Sequence, residues 1–512
     1  METKASKKTT EISDLPDVVL EYILSHLSIY SDLSTCRLVS KTWYRCVNSA
    51  IAKNRREFKN SIRNCSVEWL DYSTTQGPNI SGRYSHSCCL YRNVMYIFGG
   101  CTIANTTFND LWTFDLSERQ WIRPLVTGSY PPPKACASLV RYKESLILFG
   151  GWTHSSPYPL HQDWKLFNQI HKFDIKTNRW SAVTSKSECP SIAGHYASVI
   201  NNEMIVFGGL VSEVNMQNSF IPSNDIWVFN FDKNIWRKQS VISAKPSPRY
   251  GHSQIVLDDY NLLIFGGCGG PNMLFNDVWL LTFSDFGWCW KEMEVKHSDS
   301  SGLPIIGFHP GCKVEDLVVF LNKGQMCKTF ESTKESPIIR KAIERIHFSP
   351  NATRQANNRL QPQPSKQERK QQLLGCSSKP SIRLNPRLDR QKQLHFLDKM
   401  EQRLKELKAF SAITLPTVKK HSQYSKESMS LFVLDISKVL SEGYVQWLPR
   451  GLQTKGPQEK ILYSLIAGES ELIMFGGIQK NKSGLTETNS DSQTCDIVSN
   501  TVHVASFKRS II

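Results

Sequence analysis

Four times along this chain a short apolar strand runs straight into a pair of glycines. Each time a strand carrying or following an aspartate comes next, and then a lone tryptophan. The first copy reads Tyr96-Ile97-Phe98-Gly99-Gly100, then Leu111-Trp112-Thr113-Phe114-Asp115, then Trp121. The others are Leu148–Gly151 with Asp174 and Trp180, Val206–Gly209 with Asp225 and Trp236, and Ile264–Gly267 with Asp277 and Trp290. The first glycines stand at 99, 150, 208 and 266, which makes the spacings 51, 58 and 58 residues. A self-similar period of this length signals a repeat architecture and suits four short antiparallel strands per unit. A glycine pair fits a strand end where the chain turns sharply and a Cβ has no room. The tryptophan is the size of ring that fills the gap between two twisted sheets.

These residues resemble the kelch repeat, which implies a β-propeller. Two weaker copies complete the set. Phe308-His309 with Leu317–Phe320 supplies the first two strands of a fifth blade, with Asn322-Lys323 in place of the glycines. Its last two strands return as Leu431–Asp435 and Tyr444–Trp447. A sixth copy runs through Leu462–Ile466, Leu472–Gly477 and Thr501–Val504 and stops without a fourth strand. Val67-Glu68-Trp69-Leu70 has the character of that missing strand. Closing the ring with it leaves no long exposed edge. The expected class is therefore mainly β: a six-bladed kelch propeller over 66–322 and 429–512, preceded by a helical domain over 13–62. A 1–12 tail and an insertion in blade five complete the division.

In the helical segment, Ser13 or Asp14 can cap and Pro16 suits a first turn. Leu20, Ile23, Leu24 and Leu27 fall at helical spacing. Further starts follow at Ser31-Asp32, with Leu33, Cys36 and Val39, and at Ser40, with Trp43, Val47 and Ile51. Three short helices bury too little surface alone, which points to a partner. The order Leu15-Pro16, Ile23, Leu27, Leu33, Val39, Trp43 resembles the F-box, which docks the Skp adaptor of cullin–RING ubiquitin ligases. The resemblance assigns Leu15, Pro16, Leu20, Ile23, Leu24, Leu27, Leu33 and Val39 to that contact. A plain helical cap on the propeller is the alternative. Together the two parts resemble the F-box-and-kelch substrate receptors, as do the phrases Phe108–Trp112 and Gly128–Pro131.

The net charge of +16 hints at nucleic acid, but it is unevenly placed. Residues 323–428 hold 23 Lys/Arg against 9 Asp/Glu, so the remaining chain is nearly balanced. A basic groove on the propeller is therefore not expected. The 323–428 stretch, rich in Gln, Asn, Ser, Lys and Pro, reads as a low-complexity insertion. Its one helical candidate carries Leu397, Met400, Leu404 and Leu407. The start lacks an apolar signal region, and no stretch reaches membrane-spanning length. Fourteen cysteines lie scattered without a disulfide framework. Reduced thiols in cytoplasm or nucleus are the expectation.

In an up-and-down blade the d–a and b–c connections share one rim. That rim should carry Arg83, Tyr84, Lys134, His195, Arg249 and Tyr250 at strand-a starts. From the b–c loops it should carry Trp152, His154, Tyr158, His161, Trp164 and Asn272. Aromatic and arginine side chains are favoured recognition anchors, and the kelch resemblance implies short acidic or degron-like peptides there. The competing reading is structural: His86, His195 and His252 recur at one repeat position, and the repeat tryptophans belong in the core. No His-Glu-x-x-His, Gly-x-Ser-x-Gly or Gly-x-x-x-x-Gly-Lys run occurs. Cys88-Cys89 and Trp288-Cys289-Trp290 lack metal-ligand spacing, so no catalytic residue, metal or cofactor is expected. The resemblance thus implies a non-catalytic substrate receptor of an SCF-type ligase, binding Skp adaptor, cullin–RING scaffold and a target degron. A scaffold tied to cytoskeleton or nucleic acid is the alternative.

Overall fold

The computed structural model describes residues 12, 15–72, 78–104, 106–154, 165–213, 219–270, 273–284, 286–297, 303–304, 306–322, 326–327, 428–449, 456–479 and 497–508. All of them belong to one compact unit. The proposed basic insertion and its helix lie outside these residues, apart from 326–327 and 428, as do the candidate caps Ser13 and Asp14.

The protein is mainly β. Among the described residues, six antiparallel sheets repeat one plan, in which strands a, b, c and d pair with their neighbours in order. Sheet I is Ser87–Tyr91, Val94–Phe98, Leu111–Asp115 and Gln120–Ile122; sheet II is Ser138–Tyr142, Ser145–Phe149, Ile170–Asp174 and Arg179–Val183. Sheet III is Tyr196–Ile200, Glu203–Phe207, Ile226–Asn230 and Ile235–Gln239; sheet IV is Ser253–Val256, Asn261–Phe265, Val278–Ser284 and Gly287–Glu292. Sheet V takes Cys312–Val314 and Leu317–Asn322 from before the insertion and Ser430–Asp435 and Tyr444–Trp447 from after it. Sheet VI joins the two ends of the chain: Val67–Tyr72 pairs antiparallel with Val502–Phe507, which continues into Glu471–Phe475 and Ser464–Ala467.

Each b strand is an apolar run because it is buried on both faces. Side chains alternate across a strand, so Met95 and Ile97 enter the cluster shared with sheet VI, while Tyr96 and Phe98 enter the one shared with sheet II. The other neighbouring pairs share cores in the same way: II with III, III with IV, IV with V, and V with VI. The sheets therefore close into a ring. The strand-d tryptophans fill these interfaces, each against the phenylalanine that precedes a Gly-Gly pair. Ring centroids lie 5.5 Å apart for Trp180 and Phe98, 4.7 Å for Trp236 and Phe149, 5.0 Å for Trp290 and Phe207, and 4.8 Å for Trp121 and Phe475. Outer edges are partly covered by the incoming d–a connections. Thr127–Gly128 runs parallel to Arg179–Trp180, and Glu294–His297 runs parallel to Tyr444–Trp447, which limits edge-to-edge association.

The glycine pair is needed at the seam between sheets. At Gly208 (φ +67°) a Cβ would lie 2.5 Å from the Arg249 carbonyl oxygen and 2.9 Å from the His252 ring. The next amide, Gly209 N–H, donates to that same carbonyl at 2.8 Å.

The helical segment forms α1 (Asp17–Ser25), α2 (Asp32–Cys36) and α3 (Lys41–Arg63). Pro16 is the N-cap of α1 rather than part of its first turn, and no side chain caps the helix. Ser40 caps α3, its hydroxyl accepting from the Trp43 amide at 3.2 Å. The C-terminal half of α3 extends past Ile51 and packs Phe58 and Ile62 into the core of sheets V and VI.

Trp236→Ala empties the interface between sheets II and III. It is expected to lower stability by about 3–5 kcal/mol, measured by urea unfolding, whereas Arg237→Ala, the exposed neighbour, shifts it far less.

Candidate functional site

Six equivalent residues just before strand a surround the axis in the left-handed region: Ser85 (φ 54°), Cys136 (51°), Gly194 (66°), Gly251 (62°), Phe308 (57°) and Leu462 (57°). Main-chain bonds link five of them, Leu462, Ser85, Cys136, Gly194 and Gly251, in sequence. Ser85 N–H donates to Leu462 O at 3.0 Å, Cys136 N–H to Ser85 O at 2.9 Å, Gly194 N–H to Cys136 O at 2.9 Å, and Gly251 N–H to Gly194 O at 2.9 Å. Holding side-chain-bearing residues such as Phe308 and Leu462 there costs of order 1–3 kcal/mol each, which the closed ring offsets. The ring encloses a cavity of about 150 Å³. Its walls are mostly apolar and aromatic, with Trp152, Leu166, Tyr196, Leu210, Tyr250, Phe308, Leu462 and Tyr463 among the lining residues.

The residues following the six are His86, Ala137, His195, His252, His309 and Tyr463, and all of them line the cavity. Two histidines have structural partners: His86 Nε2 lies 2.9 Å from Ser464 Oγ, and His195 Nε2 lies 2.9 Å from Ser138 Oγ. Burial holds the imidazoles neutral, His86 and His195 down to about 3 and His309 to about 4, with His252 pulled down as well. His252 differs in its partners. Tyr196 stands where a serine serves His86 and His195, and neither ring nitrogen of His252 has a hydrogen-bond partner among the described residues.

The cations expected on this rim are not available to a ligand. Arg83 and Arg249 have fully buried side chains. The Arg83 guanidinium donates to both Asp110 carboxylate oxygens, at 2.7 and 3.1 Å, and to the Gly99 carbonyl at 2.9 Å. Arg249 repeats this with Asp277 (2.6 and 2.7 Å) and Gly266 O (2.9 Å). Each lies over a phenylalanine, Phe108 at 4.3 Å and Phe275 at 4.2 Å. In sheet II the aspartate's place is taken by Gln169, and the cation is Lys134. It is 1% exposed, rests 4.6 Å over the Phe167 ring and has no hydrogen-bond partner among the described residues. Desolvation pulls its ammonium down to about 7.

Tyr84, Trp152, His154, His195 and Tyr250 are likewise buried. Of these, Trp152, His195 and Tyr250 line the cavity, whereas Tyr84 packs in an apolar cluster around it and His154 meets Trp152 in a tilted ring contact with centroids 4.1 Å apart. Tyr158, His161, Trp164 and Asn272 lie outside the described residues. The sequence reading missed Ala137, Tyr196, Phe308, Leu462 and Tyr463 as cavity residues, although their shared repeat position carries the signal.

The helical face also differs from the expectation. Leu20, Leu24 and Leu33 are buried in the segment's own core with Val47, Ala50 and Ile51, and Leu27 packs against it. Leu15 is half-buried, while Pro16, Ile23 and Val39 are exposed. An apolar surface remains beyond that core: Val18 (76% exposed), Val19, Tyr22 and Ile23 on α1, Leu38 (85%) and Val39 (60%) before α3, and Tyr44 on it. Exposed apolar surface of this kind marks an interaction site.

The segment sits on the ring's other face. Tyr30 donates to the Glu471 carboxylate at 2.8 Å, and Arg119 clamps the same carboxylate at 3.0 and 2.6 Å. Lys59 pairs with Asp316 at 2.6 Å and Arg63 with Asp435 at 2.9 Å. These partners lie in or beside a–b and c–d turns, at the strand ends opposite the cavity.

Comparison with known proteins agrees. Residues 12–54 match the F-box domain, and residues 83–290 match the family described as FBX42, beta-propeller domain. The chain thus carries an F-box domain and a kelch-type propeller domain. It is 29% identical over 237 residues to Kelch domain-containing protein 1 of Mus musculus, covering 42% of this chain and 55% of that one. It is 28% identical over 220 residues to Kelch domain-containing protein 3 of Bos taurus (42% and 54%). It is 29% identical over 215 residues to Tip elongation aberrant protein 1 of Schizosaccharomyces pombe (41% and 18%). The match thus spans about half the length of these relatives, or less. Among the described residues, no group of three His, Cys, Asp or Glu side chains could hold a metal ion. No helix there is long and apolar enough to cross a membrane.

Two outcomes test the buried cations. Arg249→Ala strands Asp277 and is expected to cost about 3 kcal/mol of stability in urea unfolding. For Lys134, the folded chain releases its proton near pH 7, whereas the unfolded chain holds it to about pH 10. Between those values the unfolded state binds more protons, so stability rises with pH, by up to about 1.4 kcal/mol per unit from this group. Lys134→Met should be more stable than wild type at pH 7, with the difference shrinking by pH 9 in parallel denaturant titrations.

Proposed function

We propose that this protein is the substrate-recognition subunit of an SCF-type ubiquitin ligase, with the F-box docking the Skp adaptor and the propeller recruiting a target for ubiquitination and degradation. One observation carries this reading. The F-box segment buries one side of its helices in its own core and anchors α3 on the propeller, yet keeps Val18, Val19, Tyr22, Ile23, Leu38 and Val39 in solvent. A mere structural cap has no need of that second apolar surface. Burying each such side chain contributes about 1.5–3 kcal/mol, so a few suffice for a stable contact.

The target site in this reading is the axial cavity, on the face opposite the F-box. The protein contributes no bond chemistry: it raises the local concentration of a target's lysines near the cullin-bound machinery. The described cysteines are free thiols, consistent with a cytoplasmic or nuclear setting.

The test is capture of purified Skp adaptor and of cullin from cells. Leu38→Asp with Val39→Asp is expected to lower adaptor capture at least tenfold while thermal unfolding stays as in wild type. Leu24→Asp, which buries a charge in the F-box core, should unfold the segment. Undiminished capture by the exposed-face variant, or none by wild type, overturns the proposal.

A further inference from the structure

The cavity defines the chemistry of what it can hold. In the layer of six residues after the left-handed ring, five repeats supply an imidazole or phenol ring, and the second supplies Ala137. One ring is missing from the layer. The cavity beside it measures about 150 Å³, and a cavity of about that size in another protein holds a single benzene molecule. Trp152, Tyr196, Tyr250, Phe308 and Tyr463 offer ring faces and edges, which favour a further aromatic partner over an aliphatic one.

Charge narrows the choice. The nearest guanidinium groups are spent on Asp110 and Asp277, Lys134 does not line the cavity, and the lining histidines are neutral. An anionic group entering here finds no counter-charge among the described residues, and burying it unpaired is costly. His252 offers one donor and one acceptor nitrogen, both without partners among the described residues, and a phenol hydroxyl or an indole N–H can satisfy one of them.

We infer that the axial cavity takes one uncharged aromatic side chain, a tyrosine or tryptophan, from a target segment and rejects its phosphorylated or acidic counterparts. This rests on the reading of the cavity as the target site and gives that site its chemical class.

Saturation-transfer NMR on the full-length chain tests it, with p-cresol, 3-methylindole and p-cresyl phosphate as probes. The two neutral rings are expected to bind, and the phosphate ester at least tenfold less. Ala137→His restores the missing ring with a residue that four other repeats already carry, and it should cut binding of both neutral probes at least tenfold. Tyr196→Ser installs the serine found at positions 87, 138, 253 and 464. It should weaken the neutral probes about fivefold by removing one wall and giving His252 a partner, and it decides the matter where Ala137→His does not fold. The inference is overturned if neither ring binds wild type, if the phosphate ester binds as well as p-cresol, or if folded variants bind like wild type. Adaptor capture on the same samples separates the two claims. Captured adaptor without probe binding removes the aromatic site alone, while probe binding without adaptor removes the ligase reading alone.

Discussion

Everything in this molecule depends on how closely the main chain of one sheet approaches the next. A Cβ at Gly99 would stand 2.3 Å from the Lys134 carbonyl oxygen, and one at Gly476 would stand 2.6 Å from that of Arg83. The same carbonyls accept from Gly100 N–H and Gly477 N–H, both at 3.0 Å. Each glycine pair is thus a main-chain suture between successive sheets, and the last of them joins sheet VI to sheet I. Because the sutures hold the inner strands close, the outer strands splay, and that wedge is what the tryptophan fills. The first glycine also admits the His86 ring at Gly476 and the His195 ring at Gly150. Glycine, histidine and tryptophan are therefore three parts of one packing solution.

The same closure fixes the F-box segment. Its ion pairs to the ring are only partly buried, Lys59–Asp316 and Arg63–Asp435 among them, and such solvent-reached pairs contribute about 1 kcal/mol or less each; the stronger link is apolar, with Phe58 and Ile62 buried beside strands from sheets V and VI. Val67–Tyr72, which follows α3 after three residues, completes sheet VI and ties the helix to the ring covalently as well as by packing. Tyr30 reaches the turn before Glu471, its hydroxyl donating to that carboxylate and accepting from Glu469 N–H at 3.1 Å. The exposed apolar face of the F-box segment and the cavity are consequently held at a set distance on opposite faces.

The repeat could be read from sequence because its signature is local: a Gly-Gly pair and a tryptophan are visible wherever they fall. The rim chemistry could not, because it is settled over longer range. Whether the Arg83 guanidinium meets solvent or Asp110, 27 residues away, is a question of how the b–c loop folds back. Helical spacing identified Leu20, Ile23, Leu24 and Leu27 as one apolar face, but three helices packed together bury Leu20 and Leu24 in their own core. The surface left over joins Ile23 of that stripe to residues off it, such as Val18 and Tyr22. Ala137 is inconspicuous until six repeats are laid side by side, and only then does a small residue become an absent ring.

The cation position before strand a offers a partner no free charge among the described residues. Arg83, Lys134, Arg249 and Lys460 occupy it, and their partners are Asp110, none among the described residues, Asp277, and Ser499 with His503 (2.9 and 2.8 Å from Lys460 Nζ). What the four share is burial, not a role toward solvent. In the proposed reading, a rim whose described cations are neutralised or hidden would give little long-range steering, and discrimination would fall on dissociation. Dissociation is governed by fit, by ring-on-ring contact and by buried polar atoms left paired or unpaired. In a ring closed by main-chain sutures those quantities change little on binding, because the wall cannot yield without opening the seams between sheets.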